Sequence, residues 1–178
     1  MMSIMSFSDW REPVRMLKEQ TGPVAAEQLE LGAQVGFLLD GDLPRGVAAA
    51  MLEEHLHPSI WGARAQKPSP ATLKQREFLE AIANDRSFEP VSLSKSLASA
   101  WIEHYLAVRT ADSLEKLQLR AGDQVTHQPK MVDYDTGELR TWSDRYVVSS
   151  IGARGLVYFK GGNGKCGWPA NLSHSSES

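Results

Sequence analysis

His55 and His57 stand two residues apart beside Glu53 and Glu54, and side chains of these types can hold a divalent metal. On a helix, a spacing of two sends the rings to different faces, and the chain has neither an H-E-x-x-H nor a paired Cys/His pattern. We read the pair as the surface of a helix end and assign no metal site. His104, between Trp101 and Tyr105, reads as a solvated or a helix-packing polar group, and His127 falls in a strand. The only thiol, Cys166, has Lys165 beside it, and a nearby ammonium lowers a thiol pKa. No histidine completes a Cys/His signature and no G-x-S-x-G elbow occurs, so no nucleophile is assigned. The run Gly161-Gly-Asn-Gly164-Lys165 lacks the spacing of a phosphate loop and precedes a strand, which makes it a hairpin turn. Asp133, Asp135 and Glu138 offer oxygen ligands for Mg²⁺, but aspartate is favoured in a Gly-containing turn for its backbone alone. No catalytic residue and no cofactor is expected.

Binding chemistry has a better candidate. Trp142, Tyr158, Phe159 and Trp168 are interleaved with Arg140, Arg145, Arg154, Lys160 and Lys165, five cations that face only Asp144 between residues 139 and 174. Strand residues alternate faces, so Tyr158 and Phe159 cannot both enter a core. The expected interface is Arg140, Arg145, Arg154, Tyr158, Lys160, Lys165 and Trp168, a set suited to phosphates and, through an aromatic, to a base. The rest of the chain is less basic. Residues 1–66 carry nine acidic against five basic side chains, within a net charge of −3 over 178 residues. Wholesale coating of DNA is therefore excluded, and a local basic end remains.

These side chains need elements to hold them. Residues 24–39 are apolar at helical spacing, with Gly41-Asp-Leu-Pro44 as the stop; residues 45–57 read as a second helix ended by Pro58, and residues 10–19 as an earlier one. Residues 59–70 are small and polar, a linker. Thr72 and Gln75 stand at capping-box spacing, opening a helix over 72–83 with Phe78, Leu79 and Ile82 on one face. Residues 84–90 form a turn. Ser94 caps a helix whose Ala98, Trp101, Ile102, Tyr105 and Leu106 form a stripe, and Asp112 with Glu115 marks a separate short turn over 113–117. From residue 119 the pattern becomes β, with strands at 124–127, 145–151 and 156–160 and turns at 135–137, 152–155 and 162–164. The expected class is α+β, divided into an N-terminal helical region with linker (1–66), a helical module (67–118), a small barrel (119–174) and a disordered tail (175–178).

Two segments carry resemblances. Thr72-Leu-Lys-Gln75 through Leu79, then Ser94-Lys95-Ser-Leu-Ala98-Ser99-Ala-Trp-Ile102, resembles a two-helix module of pattern T-x-x-Q then S-K-x-x-A-S-x-x-I, found in prokaryotic and phage nucleic-acid-associated proteins. Leu119-x-x-Gly122-Asp123-x-Val125, Gly155-Leu-Val-Tyr158-Phe159 and Gly164-x-x-x-Trp168-Pro-x-x-Leu172 together resemble an SH3-like β-barrel. Closure would spare such short strands two open edges. The barrel resemblance implies a fold that serves nucleic-acid, peptide or subunit binding in different proteins; the leading reading of the chain is a non-catalytic binding protein of a bacterial or phage nucleic-acid system, in contact with DNA, RNA or a nucleoprotein complex. A second reading is a protein adaptor or inhibitor within a larger assembly, with a structural barrel. A third is a small metal-dependent nuclease using residues 133–138. A lone cysteine and no long apolar run point to the cytoplasm and away from the membrane.

Overall fold

A computed structural model describes residues 5–61, 68–83, 93–132, 139–161 and 164–175. The linker core at 62–67, the turn at 84–90, the acids Asp133, Asp135 and Glu138, the turn at 135–137 and most of that at 162–164 lie outside the described residues. In chain order the elements are β1 (Ser6–Phe7), α1 (Arg11–Thr21), α2 (Ala26–Gln34), α3 (Arg45–Trp61), α4 (Leu73–Ala83), α5 (Lys95–Leu117), β2 (Gln124–His127), β3 (Lys130–Val132), β4 (Leu139–Thr141), β5 (Asp144–Gly152), β6 (Val157–Phe159), β7 (Cys166–Gly167), a 3₁₀ turn (Pro169–Asn171) and β8 (Leu172–His174). The class is α+β, with an antiparallel sheet.

Two compact units share the chain: Met1–Glu19 with Ala107–Ser178, and Gln20–Leu106. These units run across the four segments drawn from sequence: β1 and most of α1 group with the C-terminal sheet.

In the sheet unit the strand order is β7-β6-β5-β2-β8, with β1 also on β5. β5 is shared along its length: residues 144–147 pair with β2, residues 148–151 with β6, and 151–152 with β1. Its register slips between Val148 and Ser150. This bulge explains why Val148 and Ile151, three residues apart, are both fully buried, where strict alternation would put them on opposite faces. Among the described residues the ladder does not close on itself, and β3 with β4 forms a separate two-stranded ladder.

Val14 and Leu17 of α1, Ala107, Ala111 and Leu114 of α5, and Leu119, Val125, Val148, Ile151, Val157, Phe159 and Leu172 make one core. Here α5 runs unbroken through residues 113–117, so Asp112 and Glu115 cap nothing; Glu115 instead pairs with Lys18 at 2.5 Å. Helix α5 ends on Gln118, left-handed at φ 51°, and His174 Nε2 donates to the Leu117 carbonyl at 2.6 Å. Ser175, the first residue of the expected tail, bonds to β2: its N–H reaches the Gln124 carbonyl at 3.1 Å and its Oγ lies 3.0 Å from Thr126 Oγ1, while residues 176–178 lie outside the described residues.

The helical unit corrects two expectations. The first helix closes at Gln34, short of residue 39, because Gly36 turns left-handed (φ 73°). The Phe37 N–H then reaches the Gly32 carbonyl at 2.8 Å and the Gly36 N–H reaches that of Ala33 at 3.2 Å, a closure that satisfies the helix's last carbonyls. A Cβ on Gly32 would lie 2.5 Å from the Phe37 oxygen, so that position needs glycine. Second, α3 continues through Pro58 to Trp61: proline removes one backbone donor, which weakens a helix without always ending it. Val47, Ala48 and Leu52 bury its inner face. A separate cluster of Ala71, Leu79 and Ala98, flanked by Ile82, Trp101, Ile102 and Tyr105, joins α4 to the first part of α5, while Phe78 and Leu106 stay exposed.

Candidate nucleic-acid interface

β5 and β6 position the central cations. Arg145 pairs across the ladder with Thr126, and Lys160, just past β6, donates its N–H to the Val147 carbonyl at 2.8 Å. Arg145 and Lys160 are thus diagonal neighbours, both exposed, on the face opposite Val148 and Phe159. Lys165 lies beside Phe159, whose N–H reaches the Lys165 carbonyl at 3.0 Å, and its Nζ stands 5.4 Å from the Tyr146 ring centroid. At this end of the β5–β6 pair Arg145 and Lys160 therefore share one face, and the Lys165 ammonium reaches the other, where Tyr146 and Phe159 lie.

Other members of the expected set lie elsewhere. Arg154 is exposed in the turn beyond the opposite end of β5. That turn is pressed on the core: Gly155 has φ 77°, and a Cβ there would come 2.3 Å from Thr110 Cγ2. Tyr158 opposes Ser150 and Cys166 and is half-buried against Gly152, about 16 Å along the strand from the Arg145 position. As alternation requires, Phe159 points the other way, into the core. Trp168 is 49% exposed and follows Gly167, the partner of Val157, which puts it toward the Arg154 end. Arg140 is exposed on β4, in the separate ladder, beside exposed Leu139 and Trp142.

The sequence reading missed Tyr146. Its ring stacks on Phe159 at 4.5 Å with 5° between planes, and His127 sits tilted against both at 6.2 and 5.8 Å. The Tyr146 hydroxyl donates to Asp144 Oδ2 at 3.4 Å. Burial pushes the His127 pKa below its ordinary value, with the nearby Asp144 carboxylate opposing that shift. Gly167 lets His127 lie close, since a Cβ there would stand 3.0 Å from its Nε2. No local signal marked it: on a strand Tyr146 and its neighbour Arg145 face opposite ways, and its cation, Lys165, lies far along the chain.

In the helical unit, a cleft of about 460 Å³ is lined by Glu53, Glu54, His57, Ser69, Ser94, Lys95 and Ser99 among others. Ser94 donates its hydroxyl to Glu54 and accepts the Leu97 N–H at 3.1 Å, so Glu54 already serves the start of α5. His55 turns elsewhere, stacking on Phe37 at 4.5 Å. Among the described residues no three His, Cys, Asp or Glu side chains group closely enough to hold a metal ion, and no helix is long and apolar enough to cross a membrane. Comparison with protein-family models, curated proteins and solved structures finds no match to this chain.

Proposed function

We propose that the chain is a non-catalytic nucleic-acid-binding protein of a bacterial or phage system, acting in the cytoplasm, with the sheet unit as its contact surface. The observation that carries this reading is the pair of exposed cations Arg145 and Lys160 on one face at one end of β5 and β6, with Lys165 over the part-exposed Tyr146 ring on the other face. Several cations at one edge neutralise neighbouring phosphates and release their counterions, a gain that falls with added salt. We read the sheet unit as an SH3-like barrel. Support comes from the order β8-β2-β5-β6-β7, the bulged strand shared between two sets of partners and the 3₁₀ turn before the last strand.

Fluorescence anisotropy with labelled single- and double-stranded oligonucleotides at two salt concentrations tests the proposal. Binding should weaken steeply with salt. The variant Arg145→Ala/Lys160→Ala/Lys165→Ala should lose most affinity, while Arg154→Ala, at the far end of the sheet, should lose little. Absence of binding at low salt, or equal binding by the triple variant, refutes the reading.

The protein-adaptor reading has one observation in its favour. The acidic helical unit exposes Leu29, Leu31 and, at 88%, Leu38, apolar surface suited to a protein partner. It takes precedence if nucleic acid fails to bind.

A further inference from the structure

Three features meet at Tyr146. Its ring is parallel to Phe159, which is buried and fixed by the core. The ring remains part-exposed. The ammonium of exposed Lys165 stands over it. Arg145 and Lys160, one residue along from Tyr146 and Phe159, turn to the other face of the sheet and leave Lys165 as the cation at this ring. We propose that Tyr146 is the platform on which a base of single-stranded nucleic acid stacks, Lys165 leaving the ring to neutralise the adjoining phosphate. The inference rests on the nucleic-acid reading above and names the class of strand that this end of the sheet takes.

The physical case is one of exchange. A cation over an exposed ring is held weakly, because water solvates the ammonium almost as well. A base offers the ring a larger apolar face, and the strand brings a phosphate to receive the displaced ammonium. Phe159 behind Tyr146 keeps the ring from turning, so little order has to be created on binding. A duplex cannot use such a platform, since its bases already stack on one another.

Competing aromatics are less suited. Tyr158 shares a face with Lys160 two residues on, but its ring rests on Gly152, and Trp168 lies toward Arg154. Trp10 also has a cation over its ring, Arg11 at 5.6 Å, but that guanidinium is paired with Asp9 at 3.0 Å.

The test uses the full chain and three labelled probes of equal length: a mixed-sequence single strand, the same strand with its central bases replaced by abasic sites, and the duplex. The base-bearing strand should bind roughly five- to a hundredfold more tightly than the abasic strand, the range expected for one stacked base. Tyr146→Phe should keep that preference and Tyr146→Leu should lose it, with thermal melting to show that each variant is folded. If Tyr146→Leu does not fold, the abasic comparison on the unaltered protein decides. Equal binding of the base-bearing and abasic strands overturns the platform while leaving phosphate binding intact. A folded Tyr146→Leu protein that still prefers the base-bearing strand also overturns it. Failure of all three probes to bind removes the nucleic-acid reading itself.

Discussion

The Nε2 of Gln75 donates to Ser99 Oγ at 3.0 Å, joining two helices through residues twenty-four positions apart. The same nitrogen donates to the Lys95 carbonyl at 3.2 Å, while Oε1 accepts the Thr72 N–H at 3.0 Å and the Thr72 hydroxyl at 3.1 Å. Thr72 Oγ1 in turn accepts the Gln75 N–H at 3.2 Å. The pattern T-x-x-Q followed by S-K-x-x-A-S is thus one polar network: it starts α4, and it ties that start to the first turn of α5.

Gln75→Ala should cost the helical unit about 1–2 kcal/mol, the sum expected for a lost cap and part-exposed hydrogen bonds. Gln75→Glu keeps acceptors for Thr72 but removes the donor to Ser99 and Lys95, and should fall between. Amide exchange at Thr72 and Gln75, compared with that of Val148 in the sheet unit, checks that the loss is local.

Gly155 and Gly161 form an internal control. Both have positive φ, but a Cβ at 155 would meet Thr110 Cγ2 at 2.3 Å, and one at 161 meets nothing within 4 Å. Gly161→Ala should cost about 1 kcal/mol for its backbone alone. Gly155→Ala should cost about 2–4 kcal/mol, and Thr110→Ser in the same chain should recover part of it. Urea unfolding of the three variants gives the comparison.

The pH dependence of the sheet unit should carry the mark of His127. Its folded pKa lies below its unfolded value of about 6.5, so the unfolded chain takes up the proton first. The stability contributed by the neutral, buried ring is present above about pH 6.5 and is lost as pH falls from there toward the folded value. Urea midpoints measured at pH 7.5 and pH 5.5 should differ more in the parent protein than in His127→Phe. Equal differences would exclude this origin.

Gln118 closes α5 in a left-handed conformation that side chains resist, at φ 51°. Gln118→Gly should therefore stabilise the protein by about 0.5–1 kcal/mol, after allowance for glycine's freer unfolded chain. A rise in melting temperature is the expected readout, and a fall would show that the Gln118 side chain contributes more than its backbone costs.

Local chemistry was the legible part of this sequence. Thr72 with Gln75, and Ser94, announce their helices because a cap involves residues three apart, and β2 was found to the residue. Long-range pairing was not legible. Two residues of β1 carry no alternation to read, yet Ser6 and Phe7 pair with Gly152 and Ile151. The bulge in β5 breaks the period on which a strand is recognised, and the apolar run at 24–39 hid the stop at Gly36. At the candidate interface, sequence supplied the right kinds of residue but not their grouping. Arg145 and Lys160 share a face and Lys165 reaches Tyr146 on the other, whereas Arg154 and Arg140 lie elsewhere, because adjacency across a ladder depends on register.

The sheet unit draws on the two ends of the chain, with residues 20–106 between its parts. During synthesis β1 and α1 leave the ribosome first, but their partners β5 and the later part of α5 are still unmade. At about 5–20 residues per second the wait lasts roughly five to twenty seconds. Throughout it Val14 and Leu17, which end fully enclosed, have no sheet to cover them. The helical unit, by contrast, is built of contiguous chain, so its contacts close shorter loops than those that join β1 and α1 to the sheet.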